Sequence, residues 1–311
     1  MLNARQQREP LVRPGEIDHQ IADMTATMST DVTLGHAQTK LAAVGQWIPI
    51  DDDPDSTLGR LVQRNSTGPL RLGYGAWRDL LLGAQFRNGA GELITAGGRT
   101  MKNVAGYDLT KFMVGQGGVF GTLVTLTSRT YKRPTGAVLA TFDSDTLLVN
   151  RLMPTDLRPQ WMILSSDQLL VGYVGDERTA DWYASRLPEL GPRTIERRTI
   201  DQDIAHRREL WNVMAERVFR AALPPAKIKQ FTATLPAGGW VADPAFGLVL
   251  GQWSDKHPIR EAAKGLSGVV TFFDGDEFDF EPDQPAQRAL LERLKLSFDP
   301  DAQLAPLPWR K

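Results

Sequence analysis

Gly97-Gly98-Arg99-Thr100-Met101-Lys102-Asn103-Val104-Ala105-Gly106-Tyr107-Asp108-Leu109-Thr110-Lys111-Phe112-Met113-Val114, then Gly115-Gln116-Gly117-Gly118-Val119-Phe120-Gly121-Thr122 and a run closing on Arg133-Pro134, is the stretch on which the architecture rests. Leu109, Phe112 and Met113 lie on one side of a short helical turn, and Gly115 stands where a left-handed residue would end it. Leu123, Val124, Thr125, Leu126 and Thr127 are apolar or β-branched and predict a strand. Glycine at 115, 117, 118 and 121 bares the backbone. Such a run either lets a diphosphate lie on N–H groups or makes a tight packed turn. The order helix, glycines, strand reverses that of the dinucleotide fingerprint, whose glycines follow a strand and open a helix.

Within this run Met101 to Leu109 reads MKNVAGYDL, Gly118-Val119-Phe120-Gly121-Thr122-Leu123 follows, and Tyr131-Lys132-Arg133-Pro134 closes it. Together these segments resemble the FAD-binding subunits of bacterial glycolate oxidases, within the FAD-linked oxidases that have a PCMH-type FAD-binding domain. The resemblance extends from about Asp23 to the C-terminus and is strongest between Trp47 and Pro134. Thr57-Leu58-Gly59-Arg60 and Ser66-Thr67-Gly68-Pro69 resemble the T-I-G-G and S-G-P segments of that family, and Gly73-Tyr74-Gly75-Ala76-Trp77-Arg78-Asp79 continues the match. At the other end, Phe298-Asp299-Pro300-Asp301-Ala302-Gln303-Leu304-Ala305-Pro306 resembles an F-D-P-x-x-x-L-N-P ending, with alanine in place of asparagine.

The resemblance implies an α+β protein of two domains. Residues 1–134 would form the PCMH-type FAD-binding domain, N-terminally shortened, because no G-G-G-T-like loop stands before Thr57 and half of the diphosphate cradle is then missing. Residues 135–311 would form a cap like the C-terminal domain of FAD-linked oxidases, α/β with an antiparallel sheet. Cofactor contacts are implied at Thr57, Leu58 and Gly59, at Ser66, Thr67 and Gly68, at Val104, and at Gly118, Gly121, Thr122 and Leu123. Hydroxyls and bare backbone suit phosphate and ring oxygens without adding charge. Arg60 occupies the place of a second glycine, where its guanidinium either pairs with phosphate or obstructs the approach.

Composition limits the alternatives. The chain has 311 residues, 41% of them hydrophobic and 23% charged, which suits two soluble domains. Thirty-six basic residues against 37 acidic leave a net charge of -1, with no basic excess for nucleic acid. There is no cysteine, so thiol catalysis, disulfides, iron–sulfur ligation and a cysteinyl flavin link are excluded. The expected cofactor is non-covalent FAD, and any iron–sulfur centre would sit on a partner. The N-terminus lacks the apolar core of a signal peptide and no run reaches the length of a membrane span, so the expected location is the cytoplasm, or the inner membrane through partners.

Further expectations follow along the chain. Residues 1–22 read as an irregular lead-in, Thr25 to Ser29 as a strand, and Leu34, Ala37, Leu41 and Val44 as one face of a helix stopped by Gly45. Asp51-Asp52-Asp53-Pro54-Asp55 lacks the bend glycine and distant Glu of a calcium loop and reads as a solvated turn. Strands are expected at Leu80 to Arg87 and Glu92 to Ala96. Beyond Pro134, Val138 to Ile200 reads as β-α-β-β-α-β, a split βαβ. A second alternation follows, with a helix through Leu210, Trp211, Met214 and Val218, strands near Ile228 to Leu235 and Phe246 to Trp253, a helix near Glu261, a strand at Val269 to Phe273, and a closing helix from Gln287 to Leu296. His19, His36, His206 and His257 have no metal-ligand spacing, and no metal site is expected. The charges at Arg193 to Arg198 and His206-Arg207-Arg208 read as a solvated face rather than a carboxylate clamp.

By resemblance, the function is that of an FAD-binding subunit in a glycolate oxidase-like complex. That complex would oxidise a small 2-hydroxy acid to the 2-oxo acid, with a sister flavin subunit and an iron–sulfur subunit as partners. The residues alone nominate no catalytic base. The alternative is a structural subunit of the same kind of complex that no longer binds FAD.

Overall fold

A computed structural model describes residues 5–6, 9–99, 108–211, 217–275, 277–280, 282 and 284–310. The chain divides into two compact units, one of Met1–Thr67, Gly75–Arg133 and Glu281–Lys311, the other of Gly68–Tyr74 and Pro134–Phe280. The break after Arg133 lies where composition shifts. A single boundary at 134/135 does not describe the division, because the closing segment packs into the first unit and residues 68–74 into the second.

In the first unit, β1 (Arg5–Gln6), β2 (Ile17–Gln20), β3 (Thr25–Ser29), β5 (Leu81–Arg87), β6 (Leu93–Gly97) and β7 (Thr122–Arg129) form one antiparallel sheet in the order β1-β6-β5-β7-β3-β2. A small pair, β4 (Gln46–Trp47) and β8 (Tyr131–Lys132), lies apart from it. All five residues of β3 are buried, and Thr27 and Thr127 bond hydroxyl to hydroxyl across β3 and β7. Gln85, fully buried on β5, is satisfied by Leu11 N, Thr95 Oγ1 and Thr125 Oγ1, so its burial carries no desolvation penalty for an unmade bond. Helix α1 (Leu34–Ala42) starts at Thr33, whose hydroxyl accepts from His36 N, and buries Leu34, Ala37 and Leu41. Helices α2 (Leu58–Arg64), α4 (Trp77–Leu80), α5 (Leu109–Phe112) and α11 (Pro285–Phe298) complete the unit.

The lead-in is not wholly irregular, since Ile17 to Gln20 pair with β3. Only Ile17 of that strand is buried, too weak an alternation to read from sequence.

The second unit holds α3 (Arg71–Tyr74) and two β-α-β-β-α-β arrays. The first array is β9 (Gly136–Asp143), α6 (Leu147–Leu152), β10 (Trp161–Leu164), β11 (Gln168–Gly175), α7 (Glu177–Arg186) and β12 (Thr194–Thr199). Next comes α8 (Ile200–Trp211), then the second array: β13 (Arg217–Ala222), α9 (Ile228–Thr232), β14 (Trp240–Asp243), β15 (Leu248–Gln252), α10 (Lys256–Lys264) and β16 (Val269–Asp274), with β17 (Glu277–Asp279) at the edge. The sheet order is β12-β9-β11-β10-β14-β15-β13-β16-β17. Each array therefore has the split βαβ order, and the two join edge to edge through Leu164 and Ala242.

Three expectations change here. Val218 lies in a strand, not at the end of a helix; Met214 lies outside the described residues. Ile228 to Thr232 is helical, because Pro224 and Pro225 set the chain up for a helix start and Ile228, Phe231 and Thr232 bury with helical spacing. Trp240 to Asp243 forms a strand that its short, mixed sequence did not announce.

Candidate functional site

Asp108 caps α5 by accepting from Lys111 N, and the glycine-rich loop begins at once. Gly115, Gly117 and Gly118 all have positive φ, which is why other residues are disfavoured there. Two bonds pin the loop to α2, Gly115 N to Val62 O at 2.9 Å and Gly117 N to Gln63 O at 3.2 Å. Buried Gln116 closes it from inside, donating to Gly121 O and accepting from Phe120 N, both at 2.8 Å. Gly121 has a different reason to be glycine: a Cβ there would lie 2.6 Å from Phe86 Cδ2. Gly121→Val should therefore cost about 1–3 kcal/mol by overpacking, read as a lower Tm. Adding Phe86→Leu should recover part of that loss, whereas an unchanged Tm in the single variant would refute the contact.

The T-I-G-G-like segment is set by the loop before α1. Thr57 caps α2 and accepts from Arg60 N, Leu58 N donates to Val32 O at 2.9 Å, and Gly59 N donates to Thr30 O at 2.9 Å. A Cβ on Gly59 would stand 2.9 Å from Thr30 Cβ. Thr30 in turn donates through Oγ1 to Leu123 O and through N to Val124 O. It thus ties α2 to β7, a role that no motif around Thr30 announces. Leu123 is buried in the core, and Thr122 is exposed opposite Arg87. The Arg60 guanidinium reaches back to Ser56 Oγ at 3.1 Å.

Ser66 is fully engaged: its N–H meets Leu61 O, its hydroxyl donates to Asp52, and its carbonyl accepts from Trp77 Nε1 at 2.7 Å. Thr67 is buried, and its carbonyl accepts from Asp51 N. The aspartate run is a solvated turn only at Pro54 and Asp55, which are exposed; Asp51 is buried and Asp52 and Asp53 are half-buried. Burial pushes the Asp52 carboxyl above its usual range, against the pull of the Ser66 hydroxyl. Among the described residues no three metal-ligating side chains gather. Gly68 belongs to the second unit, with φ +86, and Val104 lies outside the described residues.

The closing helix meets the glycine loop from another side. Lys295 Nζ donates to Val119 O at 3.0 Å, Ala305 O at 2.8 Å and Asp299 Oδ2 at 2.5 Å, using all three N–H bonds of the ammonium. Buried Asp299 also accepts from Gln303 N and Leu304 N. Phe298 packs among the rings of Phe86, Phe112 and Phe120. Lys295 escaped the sequence reading; its only signal is a lysine one helical turn before the aspartate of the F-D-P run.

Whether these residues suit FAD turns on which polar groups are still unbonded. The N–H groups of Leu58 and Gly59, expected under the diphosphate, are engaged by Val32 and Thr30. Thr110 Oγ1 is buried without a hydrogen-bond partner, and it sits where it does because Gly97 has no Cβ, which would lie 2.6 Å away. Of the three threonines at 57, 67 and 110, only Thr110 has a buried hydroxyl without a partner, a group suited to a ring carbonyl or ring nitrogen; the Thr57 hydroxyl already caps α2. The histidines do not converge: His19 bonds Gln46, and burial beside Arg198 pulls His206 below its usual range. No catalytic base is assigned.

The fold is α+β, each unit built on an antiparallel sheet. It matches alkyldihydroxyacetonephosphate synthase with a TM-score of 0.63 over 90% of this chain and 64% of that one, at 13% identity. No family model matches the chain. The resemblance to glycolate oxidase subunits recurs among curated proteins. Glycolate oxidase subunit GlcE of Escherichia coli (strain K12) is 32% identical over 123 residues, 39% of this chain and 35% of that protein. The mitochondrial D-lactate dehydrogenase [cytochrome] of Arabidopsis thaliana is 27% identical over 120 residues, 39% of this chain and 21% of that protein. The matched stretch is thus about a third or less of the length of either relative. An uncharacterized FAD-linked oxidoreductase, MT2338 of Mycobacterium tuberculosis (strain CDC 1551 / Oshkosh), is 22% identical across 92% of this chain and 76% of its own length.

Proposed function

We propose that this chain is the FAD-binding subunit of a glycolate oxidase-like complex that oxidises a small 2-hydroxy acid to the 2-oxo acid. The observation that carries the reading is the 32% identity to a glycolate oxidase subunit. The fold and the unsatisfied Thr110 hydroxyl support it. FAD, when bound, supplies the two-electron acceptor for the alcohol carbon. The chain's own part is to bind and orient: the loop at 115–121, pinned by α2, Gln116 and Lys295, gives a rigid wall, and Thr110 offers a hydroxyl. Electrons would pass to an iron–sulfur subunit, since a chain without cysteine has no thiolates for such a cluster. A sister flavin subunit completes the assembly.

A second reading, a structural subunit that has lost FAD, is favoured by one observation: the N–H groups of Leu58 and Gly59 and the whole of Ser66 are bonded within the chain. Colour separates the two. Purified alone and with its partner subunits, the chain is expected to carry acid-extractable FAD in at least one of those states. A chain that stays colourless in both after soaking in FAD would establish the structural reading instead.

A further inference from the structure

In the second unit the hairpin of β14 and β15 turns on Pro244-Ala245-Phe246-Gly247, and Asp243, the residue before the turn, is fully buried at the end of β14. Its Oδ1 accepts from Ala245 N at 3.0 Å and from Phe246 N at 3.2 Å, so one carboxylate oxygen holds the first half of the turn. The second half is held by the residue after β13: Gly247 O accepts from Leu223 N at 2.8 Å, and a Cβ on Gly247, which has φ +71, would collide with Leu223 O. The other oxygen of Asp243, Oδ2, is buried and has no hydrogen-bond partner.

An ionised carboxyl there puts an unpaired charge in a low-dielectric interior, which costs far more than a neutral Oδ2–H without an acceptor. The proton belongs on Oδ2, because the two N–H groups of the turn occupy Oδ1. Little around the group favours the charge. The four turn residues, Leu248 opposite Asp243 on β15, and Leu164 opposite Ala242 on β10 carry none. Among the described residues the one charge acting on Asp243 is that of Arg71 on α3, whose guanidinium carbon lies 4.2 Å from the centroid of the Phe246 ring. Burial pushes the carboxyl up to about 6, against the pull of the Phe246 N–H, the Arg71 charge and the Ala245 N–H.

The folded turn thus keeps a proton that an open turn, with its carboxyl in water and titrating near the ordinary value of about 4, has shed. Protonation favours closure, and that stabilisation is lost as pH rises through about 6. Opening need not unfold the unit, since Phe246 already stands 41% exposed at the tip of the hairpin.

We propose that the turn at 244–247 is a proton-operated latch of the second unit, closed by a protonated Asp243 and released when that carboxyl ionises. The inference does not depend on what the chain binds.

The test follows amide exchange in the full chain between pH 5 and pH 7, as protection relative to the unstructured rate at each pH. Protection of the Ala245 and Phe246 amides is expected to fall about tenfold over that range. At pH 7 both should exchange faster than the amides of β9, because the latch opens without the rest of the unit. Asp243→Asn keeps the Oδ1 acceptor and has no charge to gain, so its protection at pH 7 should lie within about threefold of the wild type at pH 5 and change little with pH. Wild-type protection that stays within about threefold from pH 5 to pH 7 would overturn the proposal, as would the same tenfold fall in Asp243→Asn. Exchange at 245 and 246 as slow as in β9 would overturn the latch as a local element. Should Asp243→Asn not fold, carbon-13 titration of the wild-type Asp243 carboxyl decides: a midpoint near 6 is expected, and one below about 5 would overturn the proposal.

Discussion

Lys295→Met is expected to destabilise the first unit by about 3 kcal/mol, the lower end of the cost of breaking a buried ion pair. The lower end applies because the Lys295 side chain keeps 13% exposure while that of Asp299 has none. The substitution keeps the aliphatic stem and removes three donors at once, from Val119 O, Ala305 O and Asp299. It therefore releases the tail and the glycine loop together. Calorimetry should show the lowered transition, and amide exchange at 117–120 should rise more than in β3, which Lys295 does not touch.

The pH dependence has a definite sign. Burial would raise the Asp299 carboxyl, but the Lys295 ammonium and the N–H groups of Leu304 and Gln303 outweigh it and hold the group below its usual range. A depressed folded-state value stabilises above the ordinary carboxylate range and loses that stabilisation as pH falls through the folded value. In Lys295→Met only the burial and the two N–H groups remain, so the gap between wild type and variant should narrow below about pH 4. A gap that stays constant from pH 7 to pH 3 would show that the pair is not the cause.

Asp203→Ala should be costlier, about 3–5 kcal/mol in the second unit. Asp203 and Arg207 are one helical turn apart on α8, paired, and without side-chain exposure. The Arg207 guanidinium carbon lies 5.8 Å from the ring centroid of buried Trp161. Removing the carboxylate leaves an arginine, which cannot shed its charge, in a low-dielectric interior. Asp203→Ala with Arg207→Leu should be far closer to wild type than the single variant, because the hydrophobic pair removes both charges. A single variant within about 1 kcal/mol of wild type by urea denaturation would refute the burial of the pair.

The outcome for Arg207 shows where reading by charge pattern stops. His206-Arg207-Arg208 amid acidic neighbours looked like a solvated face, and for Arg193, Arg197 and Arg198 on β12 and just before it that holds, each pairing with an acid on the surface. In α8 the same composition hides a stripe of Ile200, Asp203, Arg207 and Trp211, all buried. Helical spacing places those four on one face, but apolar periodicity passes over a face with two charges in its middle.

The architecture and its affinities are legible in the chain as written. The MKNVAGYDL and G-x-x-G-T segments point to the FAD-linked oxidase fold, the periodicities to β5, β6, β7, α1 and the first split βαβ, and the missing cysteines to the absence of thiolate ligands. The strands and helices among these are encoded in local spacing, which fixes backbone geometry and burial direction. What each group touches emerges only once the chain is folded. Folding sets Gly121 against Phe86, gives the N–H groups of Leu58 and Gly59 to the loop at 30–32, ties the tail to the glycine loop through Lys295, and carries residues 68–74 into the second unit. The physical reason is that a hydrogen bond or a steric contact belongs to a pair. When the partners stand 176 positions apart, as Lys295 and Val119 do, neither residue's surroundings in sequence name the other.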